Sequence, residues 1–193
     1  MMPAHPAALL VAIIAVAAAA GCGSHNFSDS GPSTELLSGA TAAAGSRGSP
    51  AGGPYSYRVP AHWHSISRFT VGSVSAKTRY RSAIARGSGL IYVASSDRGT
   101  ADPHSLGMQY VQELKRLGMS VESVSAALVG NSPAFVFDIN DVPVPGGGTG
   151  SARRILIFTP QAIINVTCQW TDQADQKTTL AGCDSVRSSM RVS

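Results

Sequence analysis

The chain has 193 residues, 44% of them hydrophobic, with fifteen Lys and Arg against eleven Asp and Glu and a formal net charge of +4. That length supports one folded domain and hardly a second. A mild positive excess without long basic runs favours solubility and weak attraction to anionic surfaces, and it speaks against nucleic-acid binding.

From Leu9 to Ala20 the chain reads LLVAIIAVAAAA, an apolar run that fits a signal-peptide core and falls short of the ~20 residues of a membrane-spanning helix. Residues 1–21 are therefore expected to be a cleaved signal peptide. The run closes on Ala19, Ala20, Gly21 and Cys22, which resembles the lipobox of bacterial lipoproteins. There, small residues admit the peptidase and the thiol accepts a diacylglyceryl group. Two features depart from that pattern: Ala19 stands where Leu is usual, and no Lys or Arg precedes the run. The other reading is ordinary cleavage at Ala18 to Ala20, leaving a secreted protein with an unpaired Cys22. The chain has three cysteines, an odd number, and lipidation of Cys22 accounts for the one left over. The expected location is the extracytoplasmic face of the cell membrane, with some of the protein shed or secreted.

Residues 22–53 are dominated by Gly, Ser, Ala, Thr and Pro, with too few large apolar side chains to offset the entropy of ordering a backbone. They are expected to form a tether, whose random-coil reach is about 30 Å. Residues 54–193 are left for a single folded domain.

Within that domain Tyr55 to Val59 alternates large and polar residues and reads as a strand, with Pro60 starting a turn toward Trp63. Lys77 to Arg86 reads as strand or irregular, and Leu90 to Val93 as strand. Asp102 and Pro103 form a helix start, a cap followed by a residue preset for the first turn. Leu106, Tyr110, Val111, Leu114 and Leu117 then recur at helical spacing until Gly118. Strands are expected over Met119 to Val129, Ala134 to Val142, Ala152 to Thr159 and Ala162 to Trp170, joined by short links as an antiparallel meander. Leu180, Cys183, Val186 and Met190 place a last helix over about Asp175 to Met190.

Phe135 to Phe137, Ile155 to Phe158 and Ile163 to Ile164 are apolar at consecutive positions, so both faces of those strands require cover. The expected class is α+β, a three-layer α/β/α sandwich whose mostly antiparallel sheet is covered by helices on both faces. Cys168 and Cys183 are placed to pair in an oxidising compartment. Two reduced buried thiols are the alternative.

Tyr57, Arg58, Val59 and Pro60 followed by Trp63, the acid-capped helix, Gly130 to Ala134 leading into an apolar strand, Thr167 with Cys168, and Cys183 to Val186 together resemble the PsbP-like fold. Within it the pattern is similar to the LpqN-type lipoproteins of mycobacteria over about Pro54 to Val192. His62 stands where that family commonly has glycine before the Trp. The resemblance implies a non-enzymatic binding or accessory module, with no catalytic residues to carry over.

The residues themselves offer weak chemistry. His62 and His64 share one side of an extended segment, and with His104 they make a possible zinc or copper set. Turn and surface histidines are the plainer reading. Gly146 to Gly150 lacks the following helix of a phosphate cradle. Asp138 to Asp141 lacks the turn and closing Glu of a calcium loop. Lys77, Arg79 and Arg81 line one face of an extended strand, a candidate stripe for anionic lipid headgroups, acidic glycans or an acidic envelope protein. The leading expectation is an envelope lipoprotein docking on another envelope component, with no cofactor and no enzymatic activity. A carrier of a lipid or other hydrophobic ligand is the second reading, and an envelope hydrolase or metal enzyme the third.

Overall fold

A computed structural model describes residues 46–48, 53–66, 78–100, 102–144 and 148–193. The leader, Cys22 and Lys77 lie outside them, as does the tether up to residue 45. The strands are β1 (Arg47–Gly48), β2 (Tyr55–Arg58), β3 (His64–Ser65), β4 (Thr78–Arg86), β5 (Gly89–Asp97), β6 (Ser120–Val129), β7 (Ser132–Pro143), β8 (Thr149–Phe158), β9 (Ala162–Trp170) and β10 (Arg191–Val192). The helices are α1 (Pro103–Arg116) and α2 (Gln176–Ser189), the latter preceded by a single 3₁₀ turn at Gln173–Asp175. Among the described residues no helix is long and apolar enough to cross a membrane.

The main sheet has seven strands in the order β3-β4-β5-β9-β8-β7-β6, with every neighbouring pair antiparallel. β6 to β9 form the expected meander, and β5 joins it beyond β9. A smaller sheet, β1-β2-β10, has three strands. β1 lies inside the stretch expected to be tether. An added Cβ on Gly48 would come within 2.4 Å of the Tyr57 ring, so a residue without a side chain lets that ring lie against the strand.

Strand periodicity assigns alternate residues to two cores. Ala152, Leu156 and Phe158 of β8 pack with Phe137 and with Leu106, Tyr110 and Leu114 of α1. Ile155 and Ile157, the residues between, pack with Tyr55, Tyr57, Trp63, Cys183 and Val186. Consecutive apolar positions thus serve opposite faces. The helices cover different strands, since α1 packs on β6 whereas α2 packs on β2, β5 and β9.

Local chemistry fixes each helix. The Asp102 carboxylate caps α1 by accepting from the Ser105 amide at 2.9 Å, and Pro103 opens the first turn. α2 is joined to β9 by the Cys168–Cys183 disulfide, with Cα atoms 5.9 Å apart. On its inner side Gly182 accommodates Trp63, whose indole would stand 2.6 Å from an added Cβ. The Trp63 amide in turn donates to the Pro60 carbonyl at 3.2 Å, closing a tight turn through His62.

His62 has φ of 67°, the left-handed region that favours glycine. A histidine there carries strain of about 1–2 kcal/mol. His62→Gly should raise unfolding stability by about 0.5 to 1 kcal/mol, the relief exceeding the entropy glycine adds to the unfolded chain. Urea titration of the two proteins checks this, and a loss of stability in the variant would contradict it.

Candidate functional site

Two irregularities in the sheet border a polar depression on the surface. The β6–β7 register shifts between Val121 and Ser123, leaving Glu122 unpaired with β7. The β7–β8 register shifts between Ile139 and Val142, so that Asn140 and Asp141 stand against a single residue of β8. These are β-bulges, which bend a strand and re-aim its side chains. Asp141 has φ of 58°, a strained setting for a residue with a side chain.

Around the bulges lies a cleft of about 510 Å³, lined by Glu122, Asn140, Asp141, Ser151, Trp170 and Gln176 among others. Gly150 is part of the wall, and an added Cβ there would stand 2.5 Å from the Trp170 carbonyl oxygen. Among the described residues the lining holds two carboxylates, Glu122 and Asp141, and no Lys, Arg or His. Asn140 Nδ2 donates to Glu122 Oε1, and Gln173 Nε2 donates to Gln176 Oε1. Trp170 is 5% exposed, and its Nε1 is buried without a hydrogen-bond partner. An unmet buried donor of this kind costs about 1–3 kcal/mol.

The cleft sits on the sheet face that α2 shares, past the strands α2 covers. One residue row across the sheet on this face runs Ser123, Asp138, Arg153, Cys168, so the disulfide and the polar strip are in register. Arg153 Nε donates to Asp138 Oδ1 at 2.8 Å, and the Ser123 hydroxyl donates to Asp138 Oδ2, also at 2.8 Å. Partial burial pushes the Asp138 carboxyl up, but the bonds from Arg153 and Ser123 pull it further down, below the usual carboxylate range.

The residues singled out from sequence are dispersed. His62 and His64 lie in the Pro60 turn and β3, and His104 lies on α1 beside Phe135, with 6.2 Å between ring centroids. Among the described residues no three His, Cys, Asp or Glu side chains gather as a metal set. Asp138 pairs with Arg153 while Asp141 lines the cleft, so the acceptors of that segment serve different centres. Of the basic stripe, Lys77 and the Arg79 side chain lie outside what is described. Arg81 is exposed on β4 and is not part of the cleft. The cleft residues Glu122 and Trp170 carried no sequence signal beyond a polar break in an apolar strand.

No protein-family model matches the chain, and no curated protein matches it. Among solved structures, the chain is similar to a cyanobacterial PsbP, CyanoP from Synechocystis. The TM-score is 0.55 at 12% identity, covering 77% of this chain and 92% of that one. It is also similar to LpqN of Mycobacterium tuberculosis, described as involved in cell envelope biogenesis. There the TM-score is 0.55 at 15% identity, covering 72% of this chain and 83% of that one. At these identities the likeness gives the fold, which is PsbP-like.

The lowered Asp138 carboxyl sets a pH dependence. A carboxyl that titrates lower when folded adds stability that is complete above its unfolded value of about 3.9 and is lost as pH falls through the folded one. Asp175, drawn down by the Ser88 amide, acts with the same sign. Urea midpoints should therefore hold from about pH 8 to 5 and fall below about pH 4. Asp138→Asn should make that fall shallower, and an unchanged steepness would assign the acid lability elsewhere.

Proposed function

We propose that this chain is an exported lipoprotein whose domain is a non-enzymatic binding or accessory module, docking on another component of the cell envelope through the cleft beside Trp170. Residues 1–21 are read as a cleaved leader, Cys22 as the lipid-carrying residue, and the following stretch as a tether. The folded domain is read as a three-layer arrangement with α1 and α2 on opposite faces of the sheet.

The observation that carries this reading is a cleft of amides, hydroxyls and two carboxylates that Trp170 helps to line, with the indole Nε1 of that residue a buried donor that has no partner. Such a lining suits an uncharged partner group rich in hydroxyls or amides. It disfavours an anion, because Glu122 and Asp141 repel one and no cation stands among the described lining residues to attract it. The described role of LpqN in cell envelope biogenesis supports an envelope setting, as do the lipobox-like leader and the disulfide. The stripe of Lys77, Arg79 and Arg81 is read as a second contact, toward anionic headgroups or an acidic partner.

A photo-crosslinking residue at Gln173, in the full chain expressed in its own host, should capture a defined neighbour in the envelope. Trp170→Phe with Asn140→Ala should reduce that capture at least about tenfold, the scale of one lost buried hydrogen bond. Replacing Lys77, Arg79 and Arg81 with Ser should leave it within about twofold. Equal capture by the Trp170 variant and the unaltered chain would remove the cleft from the account.

A further inference from the structure

β6 ends the order of the main sheet, so one row of its backbone N–H and C=O groups has no neighbouring strand among the described residues. Natural edge strands are blunted by Lys, Pro, inward charges or shortness. β6 is ten residues long, and from Ser123 to Val129 it carries no charge and no proline. Its one bulge and one charge, at Glu122, precede that stretch.

The large hydrophobic residues left exposed among those described are Met108 at 50%, Val124 at 46% and Leu128 at 70%. Val124 and Leu128 are on β6, and Met108 is on α1, the helix packed against β6. Val124 lies opposite Phe137, Ala126 opposite Phe135 and Leu128 opposite Pro133. Val124, Ala126 and Leu128 therefore share the face on which α1 lies.

We infer that β6 pairs antiparallel with β6 of a second copy of this chain, about a two-fold axis through Ala126, joining two sheets into one. Opposed residues of an antiparallel pair share a face, so a two-fold normal to the sheet must pass through a residue. With the axis at Ala126, Val124 of each copy meets Leu128 of the other, and Glu122 comes opposite Gly130. Exposed apolar residues then cover each other and no like charges meet. An axis at Ser125 would set Glu122 against Leu128, and one at Ala127 would leave Val124 against Gly130. The Ala126 register alone among these covers both apolar residues. The same axis keeps α1 of both copies on one side of the joined sheet, bringing the Met108-bearing helices alongside each other.

At the axis the two Ala126 Cα atoms stand about 4.5–5.5 Å apart, within the ~4.4–6.8 Å span of a disulfide. The full chain carrying Ala126→Cys, exported by its own host, should run at twice its mass on a non-reducing gel and at single mass after reduction. Ser120→Cys should stay at single mass, because the two substituted positions would lie twelve residues apart along the paired strands, about 40 Å. The unaltered chain controls for its own cysteines. Adding Leu128→Asp to Ala126→Cys, at a position already exposed, should cut the dimer band at least fivefold while leaving the circular dichroism spectrum unchanged. A dimer band no stronger than that of Ser120→Cys would overturn the proposal. So would a disulfide to a protein of different mass, or a dimer unaffected by Leu128→Asp.

Discussion

The Cys168–Cys183 bond fixes where the last helix can lie. Both sulfurs belong to fully buried residues, one toward the C-terminal end of β9 and one in the middle of α2. Closing a loop of 15 residues restricts the unfolded chain, worth about 3 kcal/mol in the chain-entropy model. The link also forces α2 over β9 and β5, where Val186 and Cys183 share a core with Ile91, Val93 and Val166. Trp63 and the two tyrosines of β2 fill the flank of that core. Gly182 admits the Trp63 ring, and the Tyr55 hydroxyl reaches the Val93 carbonyl at 2.8 Å.

A helix held there does not extend over the ends of β6, β7 and β8, and the sequence of those strands changes accordingly. On the shared face the apolar residues Ala134, Val136, Ile155 and Ile157 give way to Ser123, Asp138 and Arg153, and then to Asn140, Ser151 and Glu122. Polar groups suit a part of the sheet that no helix covers, and bulges there cost little packing. The left-handed Asp141 and the unmet Trp170 donor are the exceptions to that economy. Both raise the free energy of the folded domain, and both lie at one cleft. Local strain that persists in a stable fold is characteristic of sites that act on something else.

Much of the fold was legible from residue patterns, for reasons that can be named. Asp102 and Pro103 encode the start of α1 through an acceptor and a fixed φ, and β9 begins and ends where its apolar run does, at Ala162 and Trp170. Of the smaller sheet only β2 was legible, because β1 and β10 are two residues each, too short for any period, as is β3 at the edge of the main sheet. Nor were the bulges: a single inserted residue leaves the hydrophobic pattern of β6 and β7 nearly intact while turning Glu122 and Asp141 out of the ladder. The cleft followed them out of view, since Trp170 reads as the last apolar residue of a strand. His62 is the reverse case. It stands where the resembling family commonly has glycine, and the backbone there takes the left-handed conformation that suits glycine.

On this reading the cleft that Trp170 lines receives a partner's neutral polar groups, and the buried indole N–H of Trp170 reports on that contact. The chain has two tryptophans, so indole ¹⁵N–¹H spectra give one reporter in the cleft and one, Trp63, packed on Gly182. Titration with the uncharged glycan fraction of the host envelope should move the Trp170 indole signal downfield and leave that of Trp63 in place. Shifts confined to Trp63, or no shift of Trp170 at saturating glycan and with every other envelope fraction, would contradict the account.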